Sequence, residues 1–221
     1  MAKRFQLTMI KNCTAVILAG GESRRMGRDK AQVEFQGETL LHRAITNLSP
    51  LFEEIVLSVR QPVAAMDLLQ SNVMQVIDAG EQRGPMMGII SGLEYASTDW
   101  VFAIGVDMPF VVPAVLHAMA EQRCEHDVVL AEIEGHLQPM PAFYAKKVCL
   151  PAMQSRLEQG KRSLMRLIPS LSNRILTADD LRPFDPDLHS FTDFDTPEDL
   201  TRALEEQNQR ISPQRTQRNA E

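Results

Sequence analysis

Ala15-Val16-Ile17-Leu18-Ala19-Gly20-Gly21-Glu22-Ser23-Arg24-Arg25-Met26-Gly27-Arg28-Asp29-Lys30 is the stretch on which the reading of this chain turns. An apolar run of strand character, with nothing polar to alternate, reads as a strand buried on both faces, as in a parallel sheet. It breaks at Gly20-Gly21, where the backbone can take positive φ and let a ligand approach its N–H groups. Arg24, Arg25, Arg28 and Lys30 then follow in a loop. A strand end, a permissive backbone and a cluster of cations are together what a polyphosphate site needs. The spacing matches neither the dinucleotide pattern GxGxxG nor a P-loop, since no GK[ST] follows.

Working outward, the same alternation continues. Ile55 to Val59, Val73 to Ile77 and Trp100 to Gly105 read as further strands, with helical spacing in Leu40, Leu41, Ala44, Ile45 and Leu48 and again in Ile89, Ile90 and Leu93. A weaker helix is expected over Val63 to Gln70. Helices are also expected near Pro113, over Lys147 to Gln159 and over Ser163 to Leu171, with strands over Val128 to Ala131 and Ala142 to Tyr144 around a Gly135 turn. Thr196 fits an N-cap, with Pro197 at the first helical position and Asp199 three after the cap. Strands alternating with helices predict one α/β domain with a mostly parallel sheet. Residues 1–13 read as a lead-in, 14–204 as the domain, and 205–221, polar and poor in apolar residues, as a flexible tail.

Bulk properties narrow the classes. A formal charge of -6 argues against a general nucleic-acid binder, which makes the local cations around Arg24 more telling. Cys13, Cys124 and Cys149 are odd in number and scattered, which speaks against a disulfide framework or a zinc site and for a reducing compartment. The histidines show no ligand spacing. No apolar run approaches a membrane span, and a cytoplasmic protein with no membrane partner is expected.

A second feature is Asp107, which directly follows a buried strand and so belongs at the carboxyl edge where ligands bind in open parallel sheets. A carboxylate beside a triphosphate calls for a bridging divalent cation, and magnesium takes one or two carboxylates plus phosphate oxygens. Asp193 and Asp195 alternate along a short extended stretch and point one way. They either complete a metal site or favour the start of the following helix. Gly160-Lys161-Arg162-Ser163 is not a Walker motif. It reads as a solvated turn or as a basic patch meeting a second anion.

Together these residues resemble the molybdenum cofactor guanylyltransferases. Leu18 to Lys30 is similar to that family's nucleotide-binding signature, and the likeness continues through Gly84-Pro85-x-x-Gly88, Asp107-Met108-Pro109-Phe110 and Thr196 to Leu200. The resemblance implies a Rossmann-like nucleotidyltransferase fold: a three-layer sandwich, its mostly parallel central sheet flanked by helices on both faces. It implies transfer of GMP from GTP to molybdenum-molybdopterin, with release of pyrophosphate. Leu18, Ala19, Gly20 and Gly21 would hold GTP, Lys30 would reach its phosphates with Arg24 or Arg25, Ser58 and Asp78 would add nucleotide contacts, and Asp107 would meet nucleotide and Mg2+. Asp193 and Asp195 are further metal candidates. Relatives using CTP usually read Leu-Ala-Ala-Gly, so Gly20 favours guanine. Ser58, Asp193 and Asp195 depart from the Asn common there. Molybdoenzyme apoproteins or their chaperones are the implied recipients. Competing readings are a cytidylyltransferase for the same cofactor, a sugar-phosphate nucleotidyltransferase, or a non-catalytic nucleotide-binding or cofactor-delivery protein.

Overall fold

The computed structural model describes residues 8–20, 30–63, 72–78 and 84–211, with side chains through residue 204. The expected helix over Val63 to Gln70 lies almost wholly outside the described residues, as do Gly21, Arg24, Arg25 and Arg28.

The opening stretch begins as expected, with strand β1 over Cys13–Leu18. A short hairpin, β2 (Glu34–Phe35) and β3 (Glu38–Thr39), leads into helix α1 (Leu40–Leu48), whose first turn is capped by the Thr39 side chain. Strands β4 (Ile55–Val59) and β5 (Val73–Ile77) precede helix α2 (Pro85–Tyr95), and β6 (Trp100–Gly105) precedes α3 (Pro113–Ala120). Then come β7 (Val128–Ile133), β8 (His136–Ala145), α4 (Lys146–Glu158), β9 (Asn173–Thr177), α5 (Ala178–Leu181) and α6 (Pro197–Ile211). The turn between β7 and β8 puts both Glu134 and Gly135 at positive φ, the geometry of a tight hairpin.

The central sheet has seven strands in the order β5-β4-β1-β6-β8-β7-β9. The first four are mutually parallel, β8 runs antiparallel to β6 and to β7, and β9 is parallel to β7. The expected Rossmann-like, mostly parallel architecture is therefore what the chain adopts.

Alternation along the strands divides the core in two. Ala15, Ile17, Ile55, Leu57, Phe102 and Ile104 face one layer with α1 and α3, while Val16, Val56, Val101 and Ala103 face the other with α2 and α4. Helix α2 lies unusually close to the sheet. A Cβ on Gly92 would fall 2.4 Å from a Val16 methyl, and one on Gly88 would fall 2.7 Å from Ser58 Oγ. Only glycine at these two positions, one turn apart, lets the helix rest where it does.

Two expectations need correction. Ser163 to Leu171 is not one helix but two 3-10 turns, Leu164–Arg166 and Ile168–Ser170. Pro169 has no N–H to continue an α-helix, and Leu164, Leu167 and Ile168 are each drawn into the core. Strand β9 and α5 were not foreseen, because Asn173 to Thr177 is short and only Leu176 in it is buried. Burial pushes the thiols of Cys13 and Cys149 each up to about 12, which makes them poor nucleophiles. Among the described residues no helix is long and apolar enough to cross a membrane.

Candidate active site

Four parallel strands end side by side at one edge. Ser58, Leu18 and Gly105 are in register across β4, β1 and β6, so the residues that follow them emerge as a row. At spacings of about 4.8 Å the row from β5 to β6 spans roughly 14 Å, enough for a nucleoside and its phosphates. A cavity of ≈ 230 Å³ opens along it, with Leu18, Gly20, Ser58, Asp78, Gly88 and Asp107 in its wall. Gly84 and Pro85, at the start of α2, also line it, which brings the positive end of a helix to the cavity.

On the β5–β4 side, Ser58 is almost fully buried and donates its hydroxyl to Asp78 Oδ1 at 2.6 Å. The bond fixes the carboxylate and leaves Oδ2 toward Gly20. Ala19 commits its N–H to the Ser58 carbonyl, and the Leu18 carbonyl accepts from the Val106 N–H. The backbone of the signature is thus partly tied into the sheet, and it is Leu18 and Gly20 that line the cavity.

On the β6 side, Asp107 folds back over the strand it follows: a Cβ on Gly105 would meet its Oδ1 at 2.2 Å. Its Oδ2 accepts from Lys30 Nζ at 2.6 Å, and Lys30 also donates to Asp195 Oδ1 at 2.7 Å. Lys30 comes from a 3-10 turn just ahead of β2 and Asp195 from the extended approach to α6. What brings three distant loops together lies beneath. Phe35, Phe110 and Phe194 pack ring to ring at 5.3 to 5.5 Å, and each is a near neighbour in sequence of Lys30, Asp107 or the Asp193–Asp195 pair. The Phe194 N–H also donates to the Asp107 carbonyl. Phe194 faces the core, so Asp193 and Asp195 face the opposite way, as their alternation predicts.

The electrostatics follow from this crowding. Burial alone would lower the Lys30 pKa, but its hydrogen bonds to Asp107 and Asp195 outweigh it and hold the ammonium above the ordinary range. Asp193 is pushed up, first by burial and then by the charges of Asp195 and Asp107, with Lys30 opposing. Lys30 thus pairs with Asp107 and Asp195, and Asp193 stands beside them. Among the described residues no trio of His, Cys, Asp or Glu is gathered into a cage that could hold a metal by itself.

The pattern of residues along this edge has known counterparts. A family model described as MobA-like NTP transferase domain matches residues 15–175. The chain belongs to that family. It is 32% identical over 197 residues to a probable molybdenum cofactor guanylyltransferase of Methanosarcina mazei, covering 85% of this chain and 88% of the relative. It is 32% identical over 192 residues to the molybdenum cofactor guanylyltransferase of Desulfosudis oleivorans, covering 86% and 93%. Among solved structures, molybdopterin-guanine dinucleotide biosynthesis protein A of Archaeoglobus fulgidus superposes with a TM-score of 0.76 at 26% identity, covering 89% of this chain and 99% of that one.

Within this family member the sequence-derived candidates fall into two groups. Leu18, Gly20, Ser58, Asp78 and Asp107 share the cavity wall, and Lys30 links Asp107 to Asp195. Gly21, Arg24 and Arg25 lie outside the described residues. Arg60 was missed: it is the cation of the described cavity wall, and its signal was its place immediately after the fully buried β4. The Gly160 to Ser163 segment lines a separate basic hollow with Arg156 and Arg166.

Proposed function

We propose that this chain transfers GMP from GTP to molybdenum-molybdopterin, forming the molybdopterin guanine dinucleotide cofactor and pyrophosphate. The observation that carries the reading is the row along the sheet edge. Asp78 and Ser58 stand at one side of a cavity that Asp107, joined to Lys30, walls at the other. That order suits a base over β5 and β4 and phosphates over β1 and β6. The names of the relatives support the same substrates. The catalytic unit of this reading is 14–204, and the thiol-only cysteines fit a cytoplasmic enzyme.

No protein nucleophile is required. A phosphate monoester has a second pKa near ~6 and is mostly dianionic at neutral pH. An oxygen of the pterin's phosphate forms the new bond to the α-phosphorus, and the bond from that phosphorus to the bridging oxygen of pyrophosphate breaks. Catalysis is positioning plus neutralisation of charge on the departing group. Lys30 suits the neutralising role because its two carboxylate partners fix its ammonium and keep it charged. Arg24, Arg25 and Gly21, from the signature loop, are assigned to the triphosphate.

The donor set fits a hard divalent cation: the neighbouring side chains Asp107, Asp193 and Asp195 offer carboxylate oxygens. We assign Mg2+, held by Asp107 with Asp193 and Asp195 available beside it. When bound it would neutralise phosphate oxygens.

Incubation with α-labelled GTP, Mg2+ and molybdenum-loaded molybdopterin should yield a labelled dinucleotide. Equal or better turnover with CTP would replace this reading by the cytidylyltransferase, and tight GTP binding with no product would replace it by a binding or delivery role.

A further inference from the structure

Arg60 and Asp78 converge on one spot of the cavity wall. Strand β4 ends at Val59, whose carbonyl accepts from the Asp78 N–H at 2.8 Å. That bond closes the ends of β4 and β5 together, so Arg60 and Asp78 leave the sheet side by side. Above Gly20 they meet: the position a Cβ would take there is 3.2 Å from Arg60 Cγ and 3.3 Å from Asp78 Oδ2. Ser58 holds the other carboxylate oxygen at 2.6 Å, so the carboxylate is fixed in rotation as well as in place. The wall therefore offers an oriented carboxylate next to an arginine stem, and arginine carries a planar fork of donors.

The bases differ in which one answers that pattern. A carboxylate taking two parallel hydrogen bonds needs two adjacent donors on one base edge. Guanine has them in N1–H and N2–H; adenine and cytosine place a single amino group beside ring acceptors. A guanidinium taking two needs adjacent acceptors, and guanine has O6 and N7, the pair Arg reads most often in nucleic acids. In guanine the two edges adjoin at O6, as the two side chains adjoin at Gly20. We propose that Arg60 is a specificity-determining residue of the nucleotide site, reading O6 and N7 of guanine while Asp78 accepts from N1–H and N2–H. This rests on the GTP reading above and deepens it. It also gives Gly20 a steric role, since a methyl group there would press on both side chains at once.

The test is equilibrium binding by calorimetry, which needs no turnover. GTP, 7-deaza-GTP (which lacks the N7 acceptor) and ITP (which lacks the N2 amino group) are titrated into the wild type, Arg60→Ala and Arg60→Lys. For the wild type, 7-deaza-GTP should bind more weakly than GTP by on the order of ten-fold. In Arg60→Ala, GTP itself should weaken by about 5- to 150-fold, and the 7-deaza penalty should vanish while the ITP penalty stays. Arg60→Lys should not restore wild-type affinity, because an ammonium cannot bridge two acceptors in a plane. Equal binding of 7-deaza-GTP and GTP by the wild type would overturn the proposal without recourse to any variant. So would an undiminished 7-deaza penalty in Arg60→Ala, or an equal loss for GTP, CTP and ATP, which would put Arg60 on the phosphates or ribose. In each of those cases GTP turnover by the wild type would stand, and the guanylyl-transfer reading with it. A wild type that binds no GTP overturns both.

Discussion

The molecule contains two aromatic clusters of the same make and different use. Phe52, Phe102 and Phe143 stack at 5.4 and 4.9 Å within the core layer, where β6 meets β8 and Phe102 is the register partner of Phe143. Phe35, Phe110 and Phe194 pack at similar distances but lie outside the central sheet, Phe35 on the two-residue strand β2 and the other two in loops. All but Phe110 are fully buried. The first cluster is built on β6 and β8, which the hydrogen-bond ladder already holds, with Phe52 added from the segment before β4. The second joins three segments that no ladder holds to one another, and on its far side stand Lys30, Asp107 and Asp195. Identical packing chemistry thus sustains stability in one place and, in the other, the geometry of a charged site.

The largest effect should come from the charges that the second cluster supports. Lys30→Ala or Asp107→Ala should lower dinucleotide formation by about 10³-fold, the scale for losing a positioned charge at a developing oxyanion, while circular dichroism shows the fold retained. Near-normal pyrophosphate release from either variant would remove both residues from the mechanism. The Lys30 ties also bear on stability. Because the folded pKa is raised, their contribution is complete below the unfolded value of about 10.4 and is lost only as pH climbs through the folded one. No change is expected across the neutral range.

Next come the rings themselves. Phe194→Ala and Phe143→Ala should each cost about 3–5 kcal/mol in denaturant unfolding. They should part company in turnover per folded molecule. Phe194→Ala should lose on the order of 10²-fold, since a misplacement of about 1 Å suffices for that, whereas Phe143→Ala should stay within about twofold of wild type because its neighbours remain fixed by the sheet. Equal turnover for the two would show that the Lys30–Asp107–Asp195 meeting does not depend on the cluster beneath it.

The same contrast explains what could be read in the sequence. Strand β1, the row of strands and the position of Asp107 were legible because buried parallel strands are continuous apolar runs, and their ends announce themselves by glycine and charge. Asp193 and Asp195 were legible as a pair from alternation alone. Their meeting with Lys30 was not, because it is made by Phe35, Phe110 and Phe194, which are far apart in the chain and carry no periodic signal. Arg60 was overlooked for a related reason. A single arginine after a strand looks like a solvated end, and only the closure of β4 on β5 sets it beside Asp78. In the mixed half of the sheet β9 went unseen because, with one fully buried residue, its pattern is nearly that of a loop.

A smaller effect should follow from the contact that seats α2 on the parallel half. Gly92→Ala adds a methyl 2.4 Å from Val16 Cγ2, and Val16 is β-branched, fully buried and fixed in the central strand. Overpacking of this kind costs about 1–3 kcal/mol, partly offset by the roughly 1 kcal/mol by which alanine is the better helix former. Because Gly84, Pro85 and Gly88 of the same segment line the cavity, the KM for GTP should rise as well. Val16→Ala in the same chain should restore much of the KM by making room. A double variant no better than Gly92→Ala would mean that helix position does not govern the nucleotide wall.

The smallest effect separates the site's carboxylates from a neighbour that looks just like them in sequence. Asp199 lies only four residues beyond Asp195, yet its carboxylate is turned to the backbone at the start of the helix, where it also accepts from the Asp195 N–H at 3.2 Å. Its Oδ2 accepts from the Thr196 N–H at 2.9 Å and from the Thr196 hydroxyl at 2.9 Å, and its own N–H donates to Thr196 Oγ1 at 3.2 Å, a capping box at the start of α6. Those bonds, led by the Thr196 hydroxyl, hold its carboxyl below the usual range. A depressed folded pKa means that the contribution is present above the unfolded value of about 3.9 and disappears as pH falls through the folded one. Thr196→Ala should therefore cost about 1 kcal/mol at pH 7, and the gap to wild type should narrow in acid below the unfolded value. Turnover at saturating GTP should change little. A loss of activity out of proportion to the loss of stability would mean that the cap places Asp195 as well as starting α6, through the Asp195 N–H that Asp199 accepts.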